Sequence, residues 1–435
     1  MIEFWQRFFD FWLNVPPERI VRLFWYFFLL EVPRYLLFDL IVVILFMLKR
    51  LWNSPSYQAA NNQLFAENPL ISIIVPGKNE GRHIPKLVES LTEQTYQNYQ
   101  LIIIDDGSDD NTPLICRKLE QEGKIDLFLR NEERGGKASA ANLALRFAKG
   151  KYVVHLDADT SFDRDAIEKI LTPFYTDPEI GAVGGNVKVR NAKEAVIAGF
   201  QAVEYLQTIT MGRMVASYLG IYKIVSGAFG AFRKDLIDRV GGWDIGPGLD
   251  GDITVKIRKM GYRIVFEPRA VSLTNVPISI KKLTNQRFRW SRSMVRFRLR
   301  KHADIFVPDQ NFQFRNFFSS VENLFYNVVL DALWFYYVIR LVVQNPDIIF
   351  LMIVMKMFLY GMSNFVQVIL VCLMSERGRQ EIKLVMYIPF MSIYDGYYLR
   401  IVRTIAYFRE WLTSSSYNDA WNPSKSSVQA KEHRL

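Results

Sequence analysis

Three short apolar runs, each ending at turn or acidic residues, constrain the fold of this chain more than any other feature. They span Ile71–Pro76, Leu101–Asp106 and Tyr152–Asp157, and helical sequence follows each of them, over Ile84–Gln94, Asn111–Glu122 and Ala138–Lys149. Strands that alternate with helices predict a parallel α/β sheet covered on both faces. Because ligands of such sheets bind beyond the carboxyl ends of the strands, the polar residues there mark a candidate site.

The α/β region is flanked by apolar sequence that predicts membrane helices. Ile20–Leu48 is long enough to cross a hydrocarbon layer of roughly 30 Å, and the basic pair Lys49-Arg50 after it predicts a cytosolic end. Leu324–Val343 and Ile348–Met374 predict a transmembrane hairpin. We therefore expect a multi-pass protein of the cell (inner or plasma) membrane, with its α/β domain in the cytosol.

The net charge of +10 is concentrated in one stretch. From Pro268 to Ala303 there are ten Lys and Arg and no Asp or Glu, and apolar residues are interleaved among them. This mixture favours an amphipathic helix on anionic headgroups, with an ordinary solvated helix as the alternative and no nucleic acid partner. Cys116 and Cys372 are far apart and predict neither a disulfide framework nor a zinc site.

Asp157 and Asp159 form a DxD pair at the end of the third apolar run. Two carboxylates at a strand end can hold a divalent cation together with a diphosphate, and hard oxygen ligands suit Mg²⁺ or Mn²⁺. The alternative is a pair of solvated loop acids. The position at a strand end favours the metal site.

The first two runs and the helix after the second add further polar groups. Pro76 ends the first run and is followed by Asn79 and Glu80. Asp106 ends the second, where it is expected to bind a ligand; the alternative is a strand-to-helix turn with Ser108 or Asp109 as the cap of the following helix. Lys137 follows Arg134-Gly135-Gly136 at a helix start, an arrangement that favours binding of a diphosphate.

A third acidic pair, Asp250 and Asp252, follows a glycine-rich loop. A carboxylate there can act as a general base for an attacking hydroxyl; Asp250 is the first candidate and Asp252 its rival. Further on, Arg289 can bind phosphate oxygens and Trp290 offers a flat apolar face. The alternative for Gln286–Trp290 is an interfacial helix with its Trp at headgroup depth.

The order Asp106 (in Asp-Asp-Gly-Ser), Asp157-Ala-Asp159, Asp250 and Gln286-x-x-Arg289-Trp290 resembles the membrane-bound family 2 glycosyltransferases. Within that family the chain is most similar to the processive synthases of poly-N-acetylglucosamine, hyaluronan, chitin oligosaccharides and cellulose. The segments Val225–Lys234 and Tyr417…Trp421-Asn-Pro423 look closest to the poly-N-acetylglucosamine type.

The resemblance implies a GT-A fold and inversion at the anomeric carbon. It further implies that Asp106 contacts the nucleotide, that Asp157 and Asp159 hold the metal and diphosphate, and that Asp250 is the base. Gln286, Arg289 and Trp290 would form the platform for acceptor and diphosphate. The implied partners are a nucleotide-sugar donor of the UDP type, a growing polysaccharide, membrane lipid and an accessory export protein.

Two positions depart from the family pattern. Leu249 stands where the family usually has a Glu before the base, which affects acceptor recognition. Lys78 stands where an aromatic residue is more frequent, which affects stacking on the nucleobase.

The expected fold class is thus an α/β GT-A-like domain, with a Rossmann-like mixed sheet, inserted between transmembrane and interfacial helices. Charges such as Asp395, Arg400 and Arg403 make the helix at Leu384–Trp411 interfacial or re-entrant rather than spanning. The predicted segments are 1–53 (amphipathic segment and transmembrane helix), 54–70 (polar linker), 71–275 (catalytic domain), 276–319 (interfacial helices), 320–375 (transmembrane hairpin), 376–412 (interfacial or re-entrant helix) and 413–435 (polar tail).

The sequence predicts a processive polysaccharide synthase that exports its product through its own helices. Two alternatives remain: a non-processive lipid glycosyltransferase similar to ceramide glucosyltransferases, and a non-catalytic membrane scaffold.

Overall fold

The computed structural model describes residues 2–52, 54–244, 248–310, 312–344 and 346–418, together with positions 428 and 431. Its sheet has eight strands: β1 Ile71–Gly77, β2 Tyr99–Asp105, β3 Leu127–Arg130, β4 Tyr152–Leu156, β5 Ser161–Phe162, β6 Ile180–Val189, β7 Phe229–Arg233 and β8 Arg263–Thr274. In space their order is β3-β2-β1-β4-β7-β6-β8-β5. All three apolar runs form strands close to the predicted bounds.

The sheet is parallel on one side and mixed on the other. β1 pairs in parallel with both β2 and β4, and β2 pairs in parallel with β3. β7 runs antiparallel to its neighbours β4 and β6, and Phe229 is paired with Leu156. The residues that precede Phe229 therefore reach the same edge of the sheet as the end of β4, which is the edge that carries Asp157.

Helices cover both faces of the sheet, as predicted. Ile84–Thr92 shows the reason, since its buried residues Ile84, Leu87, Val88 and Leu91 recur at helical spacing and pack on the sheet. The α-helices of the chain are Ile2–Asn14, Pro17–Leu23, Phe38–Trp52, Ser54–Glu67, Ile84–Thr92, Thr112–Gln121, Lys137–Phe147, Ala166–Leu171, Val196–Glu204, Gly212–Tyr218, Lys234–Arg239, Leu249–Lys259, Ile280–Ser293, Phe314–Leu324, Leu330–Gln344, Ile349–Met374, Gly378–Glu381, Ile388–Ile393 and Arg400–Thr413.

The segment predicted as a polar linker, 54–70, is instead mostly a helix, Ser54–Glu67. Leu64 is completely buried and Ala60 nearly so, and the Thr172 hydroxyl donates a hydrogen bond to Asn61 Oδ1 at 3.0 Å. Together with the ring contact of Phe65 with Tyr96 and the ion pair of Glu67 with Lys151, these contacts dock a largely polar helix on the catalytic domain. Tertiary packing overrides local composition here.

Two helical stretches in the described part of the chain are long and apolar enough to cross a membrane, by length and composition alone: Phe314–Gln344 and Pro346–Met374. They coincide with the predicted hairpin, but the first begins at Phe314 rather than at residue 320. The earlier start follows from the continuous helical backbone that joins Phe314–Leu324 to Leu330–Gln344. The predicted boundary at residue 319 therefore falls inside a helix.

The N-terminal stretch Ile20–Leu48 is not one of the two candidate membrane helices. It is divided among Pro17–Leu23, two π-helical turns and Phe38–Trp52, with Glu31, Arg34 and Asp39 between apolar residues. Its passage through the membrane stays a prediction.

The region 376–412 consists of several short helical segments that end in the helix Arg400–Thr413. The guanidinium of Arg403 donates two hydrogen bonds, of 2.8 and 2.7 Å, to the carboxylate of Asp331, and Arg400 lies 3.1 Å from it. Two of the three charges that argued against a spanning helix, Arg400 and Arg403, are thus paired with a carboxylate of the first candidate membrane helix. Of the predicted C-terminal tail, residues 413–418 are described, and Trp421 and Pro423 lie outside the described residues.

Candidate active site

The Lys137–Asp157 ion pair is the centre of the site. Asp157 follows β4, and Lys137 begins the helix Lys137–Phe147, so the fold places Lys137 Nζ 2.5 Å from Asp157 Oδ1. Both side chains have about a third of their surface exposed, 34% and 36%. The predicted diphosphate lysine and the predicted metal ligand therefore lie together.

Neighbouring charges counteract the effect of burial on the pKa of each member of this pair. Burial opposes the charged form of Lys137, but Asp157 and then Asp250 raise its pKa above the ordinary value. Burial likewise opposes ionisation of Asp157, but Lys137, His155 and Arg289 together hold its pKa below the ordinary value. Asp250 and Arg289 are thus within electrostatic reach of the pair, as a shared site requires.

Asp159 and Glu80 add two more carboxylates at this edge. Thr274 donates a weak hydrogen bond to Asp159 at 3.4 Å, and burial together with Asp157 raises the pKa of Asp159. Burial, then Asp159 and Asp157, raise the pKa of Glu80 to about 7. Carboxylates that lie close enough to repel one another are typical of sites that bind a divalent cation.

The two carboxylates of the DxD pair fit a divalent ion that is completed by phosphate oxygens. The described residues contain no group of three or more His, Cys, Asp or Glu side chains arranged to hold a metal alone. Mg²⁺ is commonly bound by one or two carboxylates plus the phosphates of a substrate, so Asp157 and Asp159 would suffice.

Asp106 has a different environment from the one predicted. Its two carboxylate oxygens accept hydrogen bonds from the backbone N–H groups of Gly135 and Gly136, each at 2.8 Å, and from Asn131 Nδ2 at 2.9 Å. Asp106 is buried and holds the loop that precedes Lys137. The loop amides expected to bind a diphosphate are therefore engaged by Asp106 in this structure, and a nucleotide contact of Asp106 stays a prediction.

The first-strand residues mainly shape the turn. Pro76 is buried within β1, and Asn79 has a left-handed φ of 60°. The backbone N–H of Asn79 donates to the Ser108 hydroxyl at 2.7 Å, and Asn79 Oδ1 accepts from the N–H of Asp109 at 2.9 Å. Lys78, at the first departure from the family pattern, lies 3.1 Å from Asp109. Asn79 thus ties the ends of β1 and β2 together.

Asp250 lies against the backbone beside the end of β4. It is in the first turn of the helix Leu249–Lys259, and a side chain added at Gly227 would place its Cβ 2.6 Å from Asp250 Oδ1. The Gly227 carbonyl in turn accepts a hydrogen bond from His155 Nδ1 at 2.6 Å. Burial, then Lys137, lowers the pKa of His155 to about 4, so its imidazole stays neutral at pH 7. Leu249, at the second departure, packs on the apolar core.

Asp252, the rival base, is a structural residue. Its carboxylate is completely buried and lies 2.7 Å from His302 Nε2, 3.0 Å from Lys301 Nζ and 3.5 Å from Lys256 Nζ. These groups hold the pKa of Asp252 below its ordinary value although burial opposes this. An inaccessible carboxylate with three basic partners is unsuited to receive a proton from a substrate, so the geometry favours Asp250.

Gln286, Arg289 and Trp290 share the helix Ile280–Ser293, called here the QRFRW helix. Ser279 caps its start by accepting a hydrogen bond from the N–H of Lys282. Gln286 Oε1 is buried without a hydrogen-bond partner among the described residues, and Trp290 is 41% exposed. Arg289 reaches the Lys137–Asp157 pair electrostatically, whereas Trp290 remains available at the surface.

Three residues that the sequence did not single out support this helix. The guanidinium of Arg287 is bound by both carboxylate oxygens of Glu204, each at 2.9 Å, and lies 4.5 Å from the centre of the Trp290 ring. The Tyr394 hydroxyl donates to the same carboxylate at 2.8 Å. A signal was present in the sequence, since Glu204 is a charged residue in the largely apolar helix Val196–Glu204.

The mixed sheet, with carboxylates gathered at the carboxyl ends of β1, β2 and β4, defines a GT-A glycosyltransferase fold. In agreement, the chain is similar to a solved mannosyltransferase from Pyrobaculum calidifontis in complex with GDP-Man and Mn²⁺, with a TM-score of 0.53 and 20% identity, over 83% of this chain and 99% of that one. At this identity the likeness concerns the fold.

Sequence comparison gives similarity to the same class of protein. Residues 72–241 match the model of "Glycosyl transferase family 2". The poly-beta-1,6-N-acetyl-D-glucosamine synthase of Staphylococcus aureus (strain COL) is 31% identical over 278 residues, which cover 62% of this chain and 63% of that one. The synthase of the same name from Staphylococcus epidermidis is 34% identical over 223 residues, 51% and 53% of the two chains. The similarity thus spans less than two thirds of these relatives. Asp250 and the QRFRW helix lie beyond the family match.

Proposed function

We propose that this protein is a membrane-associated polysaccharide synthase, which transfers a sugar from a nucleotide-sugar donor to the end of a growing β-linked polymer. The observation that carries the proposal is the Lys137–Asp157 pair, at 2.5 Å, with Asp250 and Arg289 within electrostatic reach of it. This arrangement brings a general base and cationic groups for a leaving diphosphate to one edge of the sheet.

The chemistry assigns a part to each group. Asp250 accepts the proton of the acceptor hydroxyl as that oxygen attacks the anomeric carbon, and the bond to the nucleotide diphosphate breaks on the opposite side. A single displacement of this kind inverts the anomeric configuration. Lys137 and Arg289 stabilise the negative charge that develops on the departing diphosphate. A divalent cation, Mg²⁺ or Mn²⁺, held by Asp157 and Asp159 would add to that stabilisation.

The names of the relatives support the substrate class. The staphylococcal proteins are named as synthases of poly-beta-1,6-N-acetyl-D-glucosamine, and the mannosyltransferase of similar fold was solved with GDP-Man and Mn²⁺. We therefore propose a UDP-sugar donor, a polysaccharide acceptor and a divalent cation. The helices Phe314–Gln344 and Pro346–Met374 support a membrane location with a cytosolic catalytic domain, and export of the polymer between these helices, aided by an accessory protein, completes the proposal.

Product length tests the function directly. Membranes that contain the protein would be incubated with radiolabelled UDP-N-acetylglucosamine, and in parallel with other nucleotide sugars, and the products separated by size. A labelled polymer, absent for Asp250→Asn, is expected with at least one donor. A single labelled glycolipid would instead identify a lipid glycosyltransferase, and no transfer from any donor would identify a scaffold.

A further inference from the structure

A cavity of about 610 Å³ lies away from the candidate active site. It is enclosed by the end of the helix Phe38–Trp52, the start of the helix Ser54–Glu67, the helix Gly212–Tyr218 and the segment Arg263–Arg269 of β8. The opposite end of β8 carries Thr274, which bonds to Asp159. The cavity is thus at the other end of this strand from the catalytic carboxylates and shares none of their side chains.

The charges that line the cavity do not cancel. Arg269 binds Glu267 at 2.8 Å and Arg263 binds Asp177, so both lining acids are already paired. Lys49 and Arg50 also line the cavity, and both are exposed with no ion pair within the described ranges. Two positive charges therefore remain for an anion.

The rest of the cavity is partly apolar and aromatic. Phe46, Met214 and Phe266 line it, and the guanidinium of Arg269 covers the ring of Tyr57 at 3.8 Å. On the same helix as Lys49, the neighbouring Leu51 is 74% exposed. A ligand that joins an anionic head to an apolar body matches this surface.

The cavity is also close to the end of a candidate membrane helix. The helix Phe38–Trp52 packs against the helix Ile349–Met374, and Val42, Val43, Val368 and Val371 belong to one buried cluster. Gln367 of the second helix donates a hydrogen bond to Asp39 of the first at 2.7 Å, about two turns before the candidate span ends at Met374. Phe46, Lys49 and Arg50 follow within two turns of Val43. Basic side chains just beyond the apolar part of a membrane helix meet the phosphates of the cytosolic leaflet.

We propose that this cavity is a binding site for the phosphate headgroup of an anionic phospholipid, held by Lys49 and Arg50. The apolar lining receives the glycerol and upper acyl region, and the exposed apolar residues of the helix Phe38–Trp52 face the remaining acyl chains. The proposal does not rest on glycosyl transfer, because it concerns residues outside the active site and is tested by binding alone.

The test uses the full chain in nanodiscs of phosphatidylcholine with a titrated fraction of fluorescent phosphatidylglycerol, and reads energy transfer from the tryptophans of the protein. The double variant Lys49→Gln/Arg50→Gln is compared with Arg117→Gln/Lys118→Gln, which removes the same charge from an exposed position on the helix Thr112–Gln121. Loss of about 1 kcal/mol per basic residue predicts roughly 30-fold weaker lipid binding for the first pair and no change for the second.

Two additional experiments test the role of charge and the identity of the ligand. The exchange Lys49→Arg/Arg50→Lys keeps both charges and is expected to retain binding, which separates lost charge from lost fold. Soluble glycerol 3-phosphate is added as a competitor and is expected to compete only weakly. Unchanged lipid binding in Lys49→Gln/Arg50→Gln, or an equal loss in the control pair, would overturn the site; strong competition by glycerol 3-phosphate would overturn its assignment to a lipid.

Discussion

Arg287 Nη1 lies 2.9 Å from Glu204 Oε1, and the same guanidinium lies 4.5 Å from the centre of the Trp290 ring. Glu204 ends a helix of the catalytic domain, so the ion pair fixes the QRFRW helix to that domain. Both side chains are largely buried, which makes the geometry of the pair more constrained than that of a surface ion pair.

Replacement of Glu204 should therefore impair transfer. In Glu204→Gln, Arg287 loses its anionic partner and no longer supports Trp290, so we expect the rate of sugar transfer to fall by about tenfold or more. Donor binding, read by equilibrium binding of the nucleotide sugar, should change little. Arg287→Lys should be intermediate, because it keeps the charge but loses the two-pronged bond. Asp235→Asn, which breaks the exposed Arg233–Asp235 pair, is the control. Full transfer activity in folded Glu204→Gln would contradict this role.

Substitution of Asp250 should lower the activity, whereas substitution of Asp252 should lower the stability. Asp250→Asn removes the proposed base and is expected to lower the transfer rate by about 10² to 10⁴-fold with an unchanged melting temperature. Asp252→Asn removes the buried anionic partner of His302, Lys301 and Lys256, of which the two lysines keep Asp244, and is expected to cost about 1–3 kcal/mol of unfolding free energy. Thermal unfolding in detergent and transfer assays on both variants provide the measurement. The assignment fails if Asp252→Asn abolishes transfer without loss of stability.

Sugar transfer should depend on a divalent cation held by the DxD pair, Asp157 and Asp159. Chelation with EDTA is expected to stop transfer, and Mg²⁺ or Mn²⁺ should restore it. Asp159→Ala should leave insertion and folding intact, because the hydrogen bonds that its side chain accepts from Thr274 and Thr160, at 3.4 and 3.5 Å, are weak, while transfer is lost at every metal concentration. Asp238→Ala, which removes an exposed carboxylate outside the site, serves as control. Normal transfer by Asp159→Ala would exclude the metal site.

The buried His155 should make the protein sensitive to acid. Its pKa is lowered from 6.5 in the unfolded chain to about 4 in the folded protein. The unfolded state therefore binds a proton that the folded state does not, and stability decreases as the pH falls from about 6.5 to about 4, then levels off for this group. At about 1.4 kcal/mol per pKa unit the loss is on the order of 3 kcal/mol.

Thermal unfolding across this pH range checks the effect. His155→Gln should show a shallower loss of melting temperature between pH 6.5 and 4 than the unmodified protein. His83→Gln, at a more exposed histidine whose pKa is also lowered by partial burial and by Arg82, should change the slope less than His155→Gln does. Identical slopes for all three proteins would exclude His155 as a source of acid sensitivity.

The sheet and its carboxylates were predictable because each depends on local sequence. β-branched runs such as Ile71–Pro76 form buried strands wherever they lie, and the residue after each run must emerge at the edge of the sheet. Asp157 and Lys137 were therefore assigned to one site without knowledge of long-range contacts, and the structure places them at 2.5 Å.

Features that depend on distant contacts were not predictable. Glu204 and Arg287 are 83 residues apart, and nothing in either neighbourhood shows that they meet. The same holds for Asp106, since binding to the amides of Gly135 and Gly136 depends on the path of a loop that begins 25 residues later, at Asn131. The helix Ser54–Glu67 was missed because a few buried contacts outweigh its polar composition.

The C-terminal end of the described chain closes on the helical stretch that follows the QRFRW helix. Arg300 binds Glu410 at 3.0 Å, and the completely buried Glu410 also accepts from the N–H of Ser416 at 2.7 Å and its hydroxyl at 2.8 Å. During synthesis the carboxylates up to Asp250 emerge from the ribosome long before Glu410 and Ser416. The proposed acceptor side of the site is therefore expected to be the last to be secured, and a nascent chain to acquire the proposed donor side well before it can transfer sugar.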